Sequence, residues 1–387
     1  MKRFMYFNPT KVYFGKGVID SLGSTISESA KTILLVYGKS NIRKNGLLDA
    51  VKNELSKNGI KIIEFSGIQT NPNIKNVRTA ISLAKENDID AVLAVGGGSV
   101  IDTSKAISAG YFTNGDVWDL FHDSKRIKNT LPIYTVLTIS GTASEMNGTA
   151  VISNEETLEK ASIKSILLYP KATWIDPFFQ TTVSGSQLSF TAVDIISHVF
   201  EYYFAGYTDT EFVDFVSEGI IKTVMDSVPK LQKNPENENA RANFAWAASW
   251  ALNGFTSTGR GTGDFSSHRI GHAISAMYNI PHGQTLAVVQ PAWMKYCYKN
   301  DLEKFSRFGK EIFSLTGNKA LVASDSINCF QDWINNTLKL RSSLIDLGIR
   351  IDDIPKIANN SSIRYPLGTL KTLNQMDVIH ILRITNY

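Results

Sequence analysis

The hydrophobic periodicity of this chain changes near residue 180. Up to that point, short β-rich runs alternate with longer amphipathic stretches, and the runs are TILLVY at 32–37, IKIIEF at 60–65, AVLAV at 91–95, IYTVLT at 133–138 and ATWI at 172–175. Such alternation is typical of a wound, parallel α/β sheet. Beyond Ser184 these runs nearly vanish, and helical spacing marks the segments 187–204, 209–232, 238–255 and 264–278. The second half is therefore predicted to be all helical.

The chain length also favours two domains. Its 387 residues exceed the usual size of one domain by a factor of about two to three. The segment DPFFQTTVSGS at 176–186 combines Pro, Gly and Ser with little periodicity, which indicates a junction. We therefore expect domains at 1–182 and 183–387. The polar stretch at 230–243 is predicted to be a solvated loop between helices.

Composition excludes several classes of protein. Hydrophobic residues make up 43% and charged residues 20% of the chain, which is typical of a globular protein. The 40 Lys and Arg residues are interspersed with 36 Asp and Glu, so no basic block favours nucleic acid. No apolar run is long enough to cross a bilayer, and residues 8–11 interrupt any signal-like run at the start. A cytoplasmic location follows as an expectation. Cys297 and Cys329 form no motif and are expected to be structural.

A glycine-rich turn, Gly96-Gly97-Gly98-Ser99, directly follows the predicted strand at 91–95 and opens a predicted helix. Glycines let backbone N–H groups approach an anion, and a helix N-terminus adds the positive end of its dipole. A pyrophosphate would fit there. Four residues alone support a tight strand-to-helix turn equally well.

Two further strand ends point to the same edge, because ligands of open α/β sheets bind outside the carboxyl ends of the strands. Gly38 is followed by Lys39, Ser40, Asn41, Arg43 and Lys44, where a fold that selects NAD commonly has an acid. Cations and hydroxyls there suit the 2′-phosphate of NADP, although the same residues would also be expected in an ordinary solvated loop. The hydroxyl-rich loop 138–147 suits ribose, phosphate and amide groups, and turn chemistry explains it almost as well.

Four of the six histidines lie between residues 198 and 282. Asp194 and His198 have i, i+4 spacing, which places both side chains on one helix face. His268 and His272 repeat that spacing, and His282 follows in the turn Ile280–Gly283. Any one of them alone would be better explained as a core or helix-end residue, but together they indicate a metal site. Spacing leaves His268, His272 and His282 open as ligands, and an Asp/His set suits Fe²⁺ or Zn²⁺.

Three other side chains are less informative. Glu201 lies about one helical turn beyond His198, where it could orient a ligand or equally well lie on the helix surface. His122 and His380 have no companions in the sequence and are expected to be structural or surface residues.

The combined pattern resembles the iron-containing, or group III, alcohol dehydrogenase family over essentially the whole chain. Within that family it is most similar to NADPH-dependent butanol dehydrogenases and broad-range aldehyde reductases. The motifs that carry the resemblance are Phe14–Gly17, Asn71–Asn73, GGGSVID at 96–102, Thr138–Asn147, Asp176-Pro177, DIISHVFE at 194–201 and HRIGHAISAMYNIPHG at 268–283.

The resemblance implies a fold and an activity. It implies a Rossmann-like dinucleotide-binding domain followed by an all-helical metal-binding catalytic domain, the dehydroquinate synthase-like arrangement. The implied enzyme is an NADP(H)-linked alcohol dehydrogenase or aldehyde reductase with one divalent ion, Fe²⁺ or Zn²⁺. That ion would polarise the carbonyl of a butanal-like or broader short-to-medium-chain aldehyde during hydride transfer. A homodimer is also implied.

The resemblance further assigns roles to individual residues. The implied metal ligands are Asp194, His198, His268 and His282, whereas His272 matches a position that relays a proton. The implied cofactor contacts are Gly38, Lys39, Ser40, Asn71, Gly97, Gly98, Ser99, Asp102, Thr138, Ser140, Thr142, Asn147 and Lys160. The chain departs from many relatives at Ser140-Gly141 and at Ala143.

Two alternatives remain at this stage. One branch of the same architecture performs carbon–oxygen lyase and cyclisation chemistry on sugar phosphates, and it would need Lys and Arg clusters facing the metal. No such cluster accompanies 268–282 in the sequence. The other alternative is a non-catalytic metal or nucleotide sensor that keeps the ligands without turnover.

Overall fold

A computed structural model of the protein describes residues 1–38, 42, 45–157, 159–362 and 366–385. The predicted cofactor contacts Lys39 and Ser40 lie outside the described residues, as do Asn41, Arg43 and Lys44.

The chain forms two compact units, each discontinuous in sequence. We call them the sheet unit, comprising Phe7–Val183 and Asn234–Ser249, and the helical unit, comprising Met1–Tyr6, Ser184–Lys233 and Trp250–Tyr387. These units differ from the continuous segments expected from the sequence, 1–182 and 183–387. Ala245 explains one difference, because it is buried in the core of the sheet unit. Periodicity identifies a helix but does not tell which core its apolar face joins.

Among the described residues, the sheet unit contains eight strands, five helices that precede residue 183 and most of a sixth helix. The strands are β1 (Lys11–Phe14), β2 (Thr32–Gly38), β3 (Lys61–Ile68), β4 (Ala91–Gly96), β5 (Ile133–Leu137), β6 (Thr149–Asn154), β7 (Glu159–Lys164) and β8 (Ala172–Ile175). The helices that precede residue 183 are α1 (Leu22–Ser27), α2 (Leu47–Lys57), α3 (Ile74–Glu86), α4 (Gly98–Tyr111) and α5 (Asp119–His122). Six strands form one sheet in the order β1-β8-β5-β4-β2-β3, and β6 pairs with β7 in a separate hairpin.

Every pairing in the six-stranded sheet is parallel, so the predicted α/β architecture is confirmed. The five β-rich runs all form strands. Strand β1 was not predicted because it lies at the sheet edge and none of its residues is fully buried. The hairpin β6–β7 was missed as well, since its residues alternate in burial and carry many polar side chains.

Both faces of the sheet are covered. Side chains along β2 alternate between two cores, with Leu34 and Val36 in one and Ile33 and Leu35 in the other. A parallel strand buried on both faces reads as a continuous apolar run, which is why TILLVY was recognisable in the sequence.

The strand order brings three loop-bearing strand ends together. Strand β4 lies between β5 and β2, with Val95 opposite Tyr37 and Gly96 opposite Leu137. Because all three strands run in the same direction, the loops after Gly38, Gly96 and Leu137 leave one edge of the sheet. The predicted convergence of these segments is confirmed for their described residues.

The helical unit holds the other long helices. Helix α8 (Glu238–Ala251) belongs mostly to the sheet unit. Only its last residues, Trp250 and Ala251, belong to the helical unit. The remaining helices are α6 (Gly185–Tyr203), α7 (Glu211–Lys233), α9 (Ser266–Tyr278), α10 (His282–Cys297), α11 (Leu302–Phe313), α12 (Lys319–Asp332), α13 (Ile354–Ser362) and α14 (Gln375–Ile384). A π-helical turn at Trp333–Thr337 follows α12. Within the described part of this unit no strand is present, as predicted.

The polar stretch 230–243 is mostly helical, contrary to the solvated loop expected there. Helix α7 continues to Lys233 and α8 begins at Glu238, so only four residues connect them. A polar composition marks exposure to solvent, which a helix surface provides as well as a loop does. Among the described residues, no helix combines the length and apolar character needed to cross a bilayer.

Aromatic side chains anchor one face of α6. The rings of Phe204 and Phe305 stack at 4.1 Å between centroids, and Phe200 lies edge-on to Phe308 at 5.2 Å and to Phe330 at 5.1 Å. Phe200 and Phe204 share one side of the helix, four residues apart. This packing on α11 and α12 fixes the rotation of α6, and so determines where its remaining faces point.

Candidate functional site

Three helices of the helical unit bring four polar side chains together. Asp194 and His198 come from α6, His268 from α9, and His282 is the first residue of α10. The Oδ1 atom of Asp194 lies 3.5 Å from Nε2 of His198, 3.5 Å from Nε2 of His268 and 3.7 Å from Nε2 of His282. One carboxylate oxygen is thus surrounded by three imidazole nitrogens.

The donor set suits a divalent ion. Ligand atoms of Asp194, His268 and His282 all lie within 4.8 Å of one another. The Nε2 atom of His268 is buried and has no hydrogen-bond partner among the described residues, which is costly for a polar nitrogen. A cation in contact with that atom would satisfy it. One carboxylate and three imidazoles are ligands that both Fe²⁺ and Zn²⁺ accept.

Glu201 orients His268. Its carboxylate is buried and contacts Nδ1 of the His268 ring, the backbone N–H of Phe265 and, at 3.1 Å, the hydroxyl of Ser267. A proton on Nδ1 therefore has an acceptor, which leaves Nε2 as the basic nitrogen facing Asp194. Of the two alternatives open for Glu201, the orienting position is the one found.

The charges around His268 favour a cation. Burial by itself would lower the pKa of this imidazole, but the carboxylates of Glu201 and Asp194 outweigh burial and raise the pKa to about 9. The same two carboxylates would stabilise a metal ion at this position, since an unpaired positive charge in a buried site is otherwise costly.

The start of α9 is held by contacts that were not predicted from the sequence. The buried Asp264 accepts hydrogen bonds from the backbone N–H groups of Thr369 at 2.7 Å and Leu370 at 3.0 Å. Its own N–H donates to the carbonyl of Glu201 at 2.8 Å. Phe265 then adopts a left-handed φ of 51°, and the helix begins at Ser266. No local motif indicates this role, because Thr369 and Leu370 lie more than a hundred residues from Asp264 in the chain.

His272 lies beside the four-residue group. Its ring centroid is 4.6 Å from that of His282 and 6.2 Å from that of His268, and the side chain is partly exposed. The two histidines expected to be structural lie elsewhere. His122 contacts the ring of Trp118, and His380 lies near Tyr296.

In the sheet unit, the glycine turn opens α4. Gly97 precedes the helix, and residues 97–99 are partly exposed at its N-terminus. A Cβ on Gly98 would lie 2.5 Å from Oγ1 of Thr142, and one on Gly97 would lie 3.1 Å from Cβ of Ile139. These glycines are therefore needed for the close packing of α4 against the loop 138–147. That packing leaves the helix N-terminus accessible to an anion.

The side chains of two predicted cofactor contacts bind the protein itself. The Asp102 carboxylate accepts a hydrogen bond from Ser144 Oγ at 2.6 Å and one from the N–H of Val151 at 2.9 Å. Asn147 donates from Nδ2 to the carbonyl of Thr142 at 3.3 Å, and its Oδ1 accepts from the N–H of Thr149 at 3.0 Å. Direct contacts of Asp102 and Asn147 with a cofactor stay predictions. In the structure, both side chains hold the loop 138–147 and the strand that follows it.

Sequence reasoning missed two buried charged residues in this region. Lys105 is fully buried on α4, and Glu145 is fully buried in the loop, where it accepts a hydrogen bond from Ser249. Burial lowers the pKa of Lys105 to about 8, although Asp102 and Glu145 act in the opposite direction. Burial also raises the pKa of the Glu145 carboxyl. The helix that carries Lys105 also contains Asp102, Thr103 and Ser104, so a Lys at that position gave no signal of burial.

Other predicted cofactor contacts lie at the same edge of the sheet. The N–H of Thr138 donates to the carbonyl of Gly96 at 3.1 Å, next to the glycine turn. Ser140 Oγ donates to Oε1 of Gln180 at 2.8 Å. Lys160 Nζ donates to Oδ1 of Asn71 at 3.1 Å, and its charge also lowers the pKa of the Asp102 carboxyl against the raising effect of burial.

Both parts of the chain match known family patterns. The pattern for iron-containing alcohol dehydrogenases matches residues 9–177, and that for the C-terminal part of the Fe-containing alcohol dehydrogenase family matches residues 189–385. The chain is 38% identical to NADH-dependent butanol dehydrogenase A of Clostridium acetobutylicum over 99% of both proteins. It is 36% identical to the NADPH-dependent aldehyde reductase YqhD of Escherichia coli over 82% of this chain and 81% of that protein.

A solved structure agrees with these matches. NADH-dependent butanol dehydrogenase A from Thermotoga maritima is similar with a TM-score of 0.97 and 42% identity, covering 100% of this chain and 99% of that one. Because the likeness extends over the whole chain in both sequence and fold, this protein belongs to the iron-containing alcohol dehydrogenase family of oxidoreductases.

Proposed function

We propose that this protein is a metal-dependent alcohol dehydrogenase or aldehyde reductase that uses NADP(H) and a short- to medium-chain, butanol-like substrate. The observation that carries the proposal is the convergence of three imidazole Nε2 atoms on Oδ1 of Asp194 at 3.5, 3.5 and 3.7 Å. A structural histidine needs no such arrangement, whereas a metal-dependent oxidoreductase does.

The ligands in this proposal are Asp194, His198, His268 and His282. When bound, a divalent ion would act as a Lewis acid on a carbonyl or hydroxyl oxygen, and the nicotinamide would supply or accept the hydride. Iron is favoured by the family, and zinc is compatible with the same donors.

Two side chains, Glu201 and His272, would assist the reaction at this site. Glu201 keeps the His268 ring in one tautomer and orientation, so that Nε2 does not rotate away. His272 is proposed to hold and release the proton exchanged with the substrate oxygen. Its partial exposure and its position against the His282 ring support that role, because the proton must reach solvent.

The preference for NADP(H) rests on the segment that follows β2. No Asp or Glu occurs from Gly38 to Leu48, whereas Lys39, Arg43 and Lys44 offer positive charge to a 2′-phosphate. The names of the relatives differ in the nicotinamide nucleotide that they specify. NADH-dependent butanol dehydrogenase A of Clostridium acetobutylicum and NADPH-dependent butanol dehydrogenase of Clostridium saccharobutylicum are both similar to this chain.

The experiment combines purified protein, Fe²⁺ or Zn²⁺, NADPH or NADH, and a panel of short- to medium-chain aldehydes. We expect metal-dependent loss of reduced-nicotinamide absorbance, faster with NADPH than with NADH. Binding of both metal and nucleotide without turnover of any aldehyde or alcohol would favour a sensor instead. Homodimer formation and a cytoplasmic location stay predictions.

A further inference from the structure

Lys105 lies under the loop that is proposed to bind the nucleotide. Its ammonium nitrogen is fully buried and contacts the backbone carbonyls of Ser144 at 2.7 Å, Asn147 at 2.8 Å and Thr149 at 2.8 Å. It also contacts Ser144 Oγ at 2.8 Å and Asn147 Oδ1 at 3.1 Å. The Lys105 ammonium is thus within hydrogen-bonding distance of five oxygens of one short segment, although it carries only three N–H groups.

Asp102 also holds this segment against α4. It lies one helical turn before Lys105 on the same side of α4, and it accepts from Ser144 Oγ and from the N–H of Val151. The hydroxyl of Ser144 therefore donates to Asp102 while accepting from Lys105. A carboxylate and an ammonium from one helix together hold both ends of the segment 144–151.

We propose that Lys105 is a positioning residue of the nucleotide site, holding residues 142–151 in the binding conformation before the nucleotide arrives. This inference rests on the proposed function, because it presumes that the loop binds a nicotinamide nucleotide. Lys105 itself is fully buried and acts through Thr142 and Asn147 rather than on the nucleotide. A loop that is already ordered loses less conformational entropy when the ligand binds.

The charge on Lys105 adds a pH dependence. The charged groups that act on it are Asp102 on α4 and Glu145 in the loop, and burial lowers the pKa of Lys105 to about 8. Below that pH the ammonium donates three hydrogen bonds. Above it, a neutral amine donates only two and turns a lone pair toward oxygen acceptors, which loosens the segment. Nucleotide affinity should therefore fall as the pH rises through about 8.

Stability should follow the opposite trend over the same interval. In the unfolded chain the pKa of Lys105 returns to the ordinary lysine value of 10.5, so between about 8 and 10.5 the unfolded state holds more protons. The Lys105 contribution to the free energy of unfolding then rises with pH while nucleotide affinity declines. A residue that serves only to stabilise the fold would change the free energy of unfolding over this interval and leave nucleotide affinity unchanged.

The test compares wild type, Lys105→Met and Ser144→Ala as full-length proteins. Dissociation constants for NADPH and NADH are measured by calorimetry from about pH 7 to about pH 10, and amide hydrogen exchange of residues 142–151 is followed without nucleotide. Leu55→Ala is the matched control, because Leu55 is buried in the other core of the sheet unit. It lowers stability without touching the loop.

We expect Lys105→Met to weaken nucleotide binding by at least about tenfold at pH 7, to speed exchange at Thr149 and Val151, and to abolish the pH dependence of binding. Leu55→Ala should bind nucleotide within about twofold of wild type. Wild-type affinity and exchange in Lys105→Met would overturn the inference.

Two further outcomes are also decisive. Should Lys105→Met fail to fold, Ser144→Ala keeps the backbone contacts of Lys105 but removes the hydroxyl between it and Asp102. It should then bind more weakly than wild type with faster loop exchange, and unchanged behaviour would contradict the proposal. Failure of the wild type itself to bind either nucleotide would overturn the proposed function, and this inference with it.

Discussion

The Glu201 carboxylate contacts Nδ1 of His268, and the other nitrogen of that ring faces Asp194 at 3.5 Å. Both carboxylates belong to α6, seven residues apart, so one helix supplies a proposed ligand and also the group that orients another. The contact joins residues 67 positions apart in the chain. The geometry of the proposed metal site thus depends on how α6 packs against α9.

Glu201→Gln should weaken metal binding by about 10- to 100-fold, because a neutral amide holds the His268 tautomer less firmly than a carboxylate does. Competition with a chelator of known affinity measures the change. Glu311→Gln is the control, since Glu311 lies exposed on α11, where it pairs with Lys222 at 3.8 Å. Equal metal affinity in the two variants would contradict the orienting role of Glu201.

His268→Ala and His272→Ala should separate ligation from proton transfer. The first removes a proposed ligand, so both bound metal and activity should be lost. The second leaves the four proposed ligands in place, and we expect normal metal content with slower turnover. Elemental analysis measures the bound metal, and steady-state kinetics on the same preparations measure turnover. Full metal loading of His268→Ala would refute the ligand assignment.

Gly38→Asp should reverse the proposed preference for NADPH. Among the described residues, a Cβ at this position meets the carbonyl of Ile68 at 3.6 Å, which is ordinary van der Waals contact and not a clash. The new carboxylate would repel a 2′-phosphate and accept from a ribose 2′-hydroxyl. We expect kcat/KM with NADPH to fall at least about tenfold relative to NADH.

The control for that variant is Ser24→Asp, an added acid at an exposed position on α1. Its ratio of NADPH to NADH efficiency should equal that of wild type. An unchanged ratio in Gly38→Asp would show that selectivity resides elsewhere.

Gly98→Ala should disturb the nucleotide site through packing. The added methyl group would lie 2.5 Å from Oγ1 of Thr142, which forces the loop away from α4 at a cost of about 1–3 kcal/mol. Weaker NADPH binding and a lower unfolding midpoint are expected. The methyl group of Gly219→Ala in α7 would meet no neighbouring atom within 4 Å in the part of the chain that the structure describes, so this change should be neutral or stabilising. Similar effects of both substitutions would argue against the packing explanation.

Asp214→Asn should destabilise the helical unit. Asp214 pairs with the buried Arg260 and, at 2.7 Å, with Lys304, so its removal leaves two buried cations without their carboxylate. Breaking a buried ion pair from one side costs about 3–5 kcal/mol. Urea unfolding measures the loss. Asp226→Asn, which disrupts an exposed pair with Lys230, should change stability by less than about 1 kcal/mol.

Several features could be predicted because they depend on neighbouring residues. The buried strands β2, β4 and β5 are continuous apolar runs, and the pair Asp194 and His198 follows from helical spacing alone. Strand β1 could not be recognised in the same way. It lies at the sheet edge, where partial exposure removes the apolar signal.

The sequence by itself determined the fold class, the edge of the sheet where the loops meet, and the helix that carries Asp194 and His198. Only the tertiary structure showed that Glu201 lies behind His268 and that Lys105 is buried beneath the loop 142–151. Periodicity reports which face of an element is apolar. The partner of a buried charge depends on which distant elements pack together, and no local pattern encodes that choice.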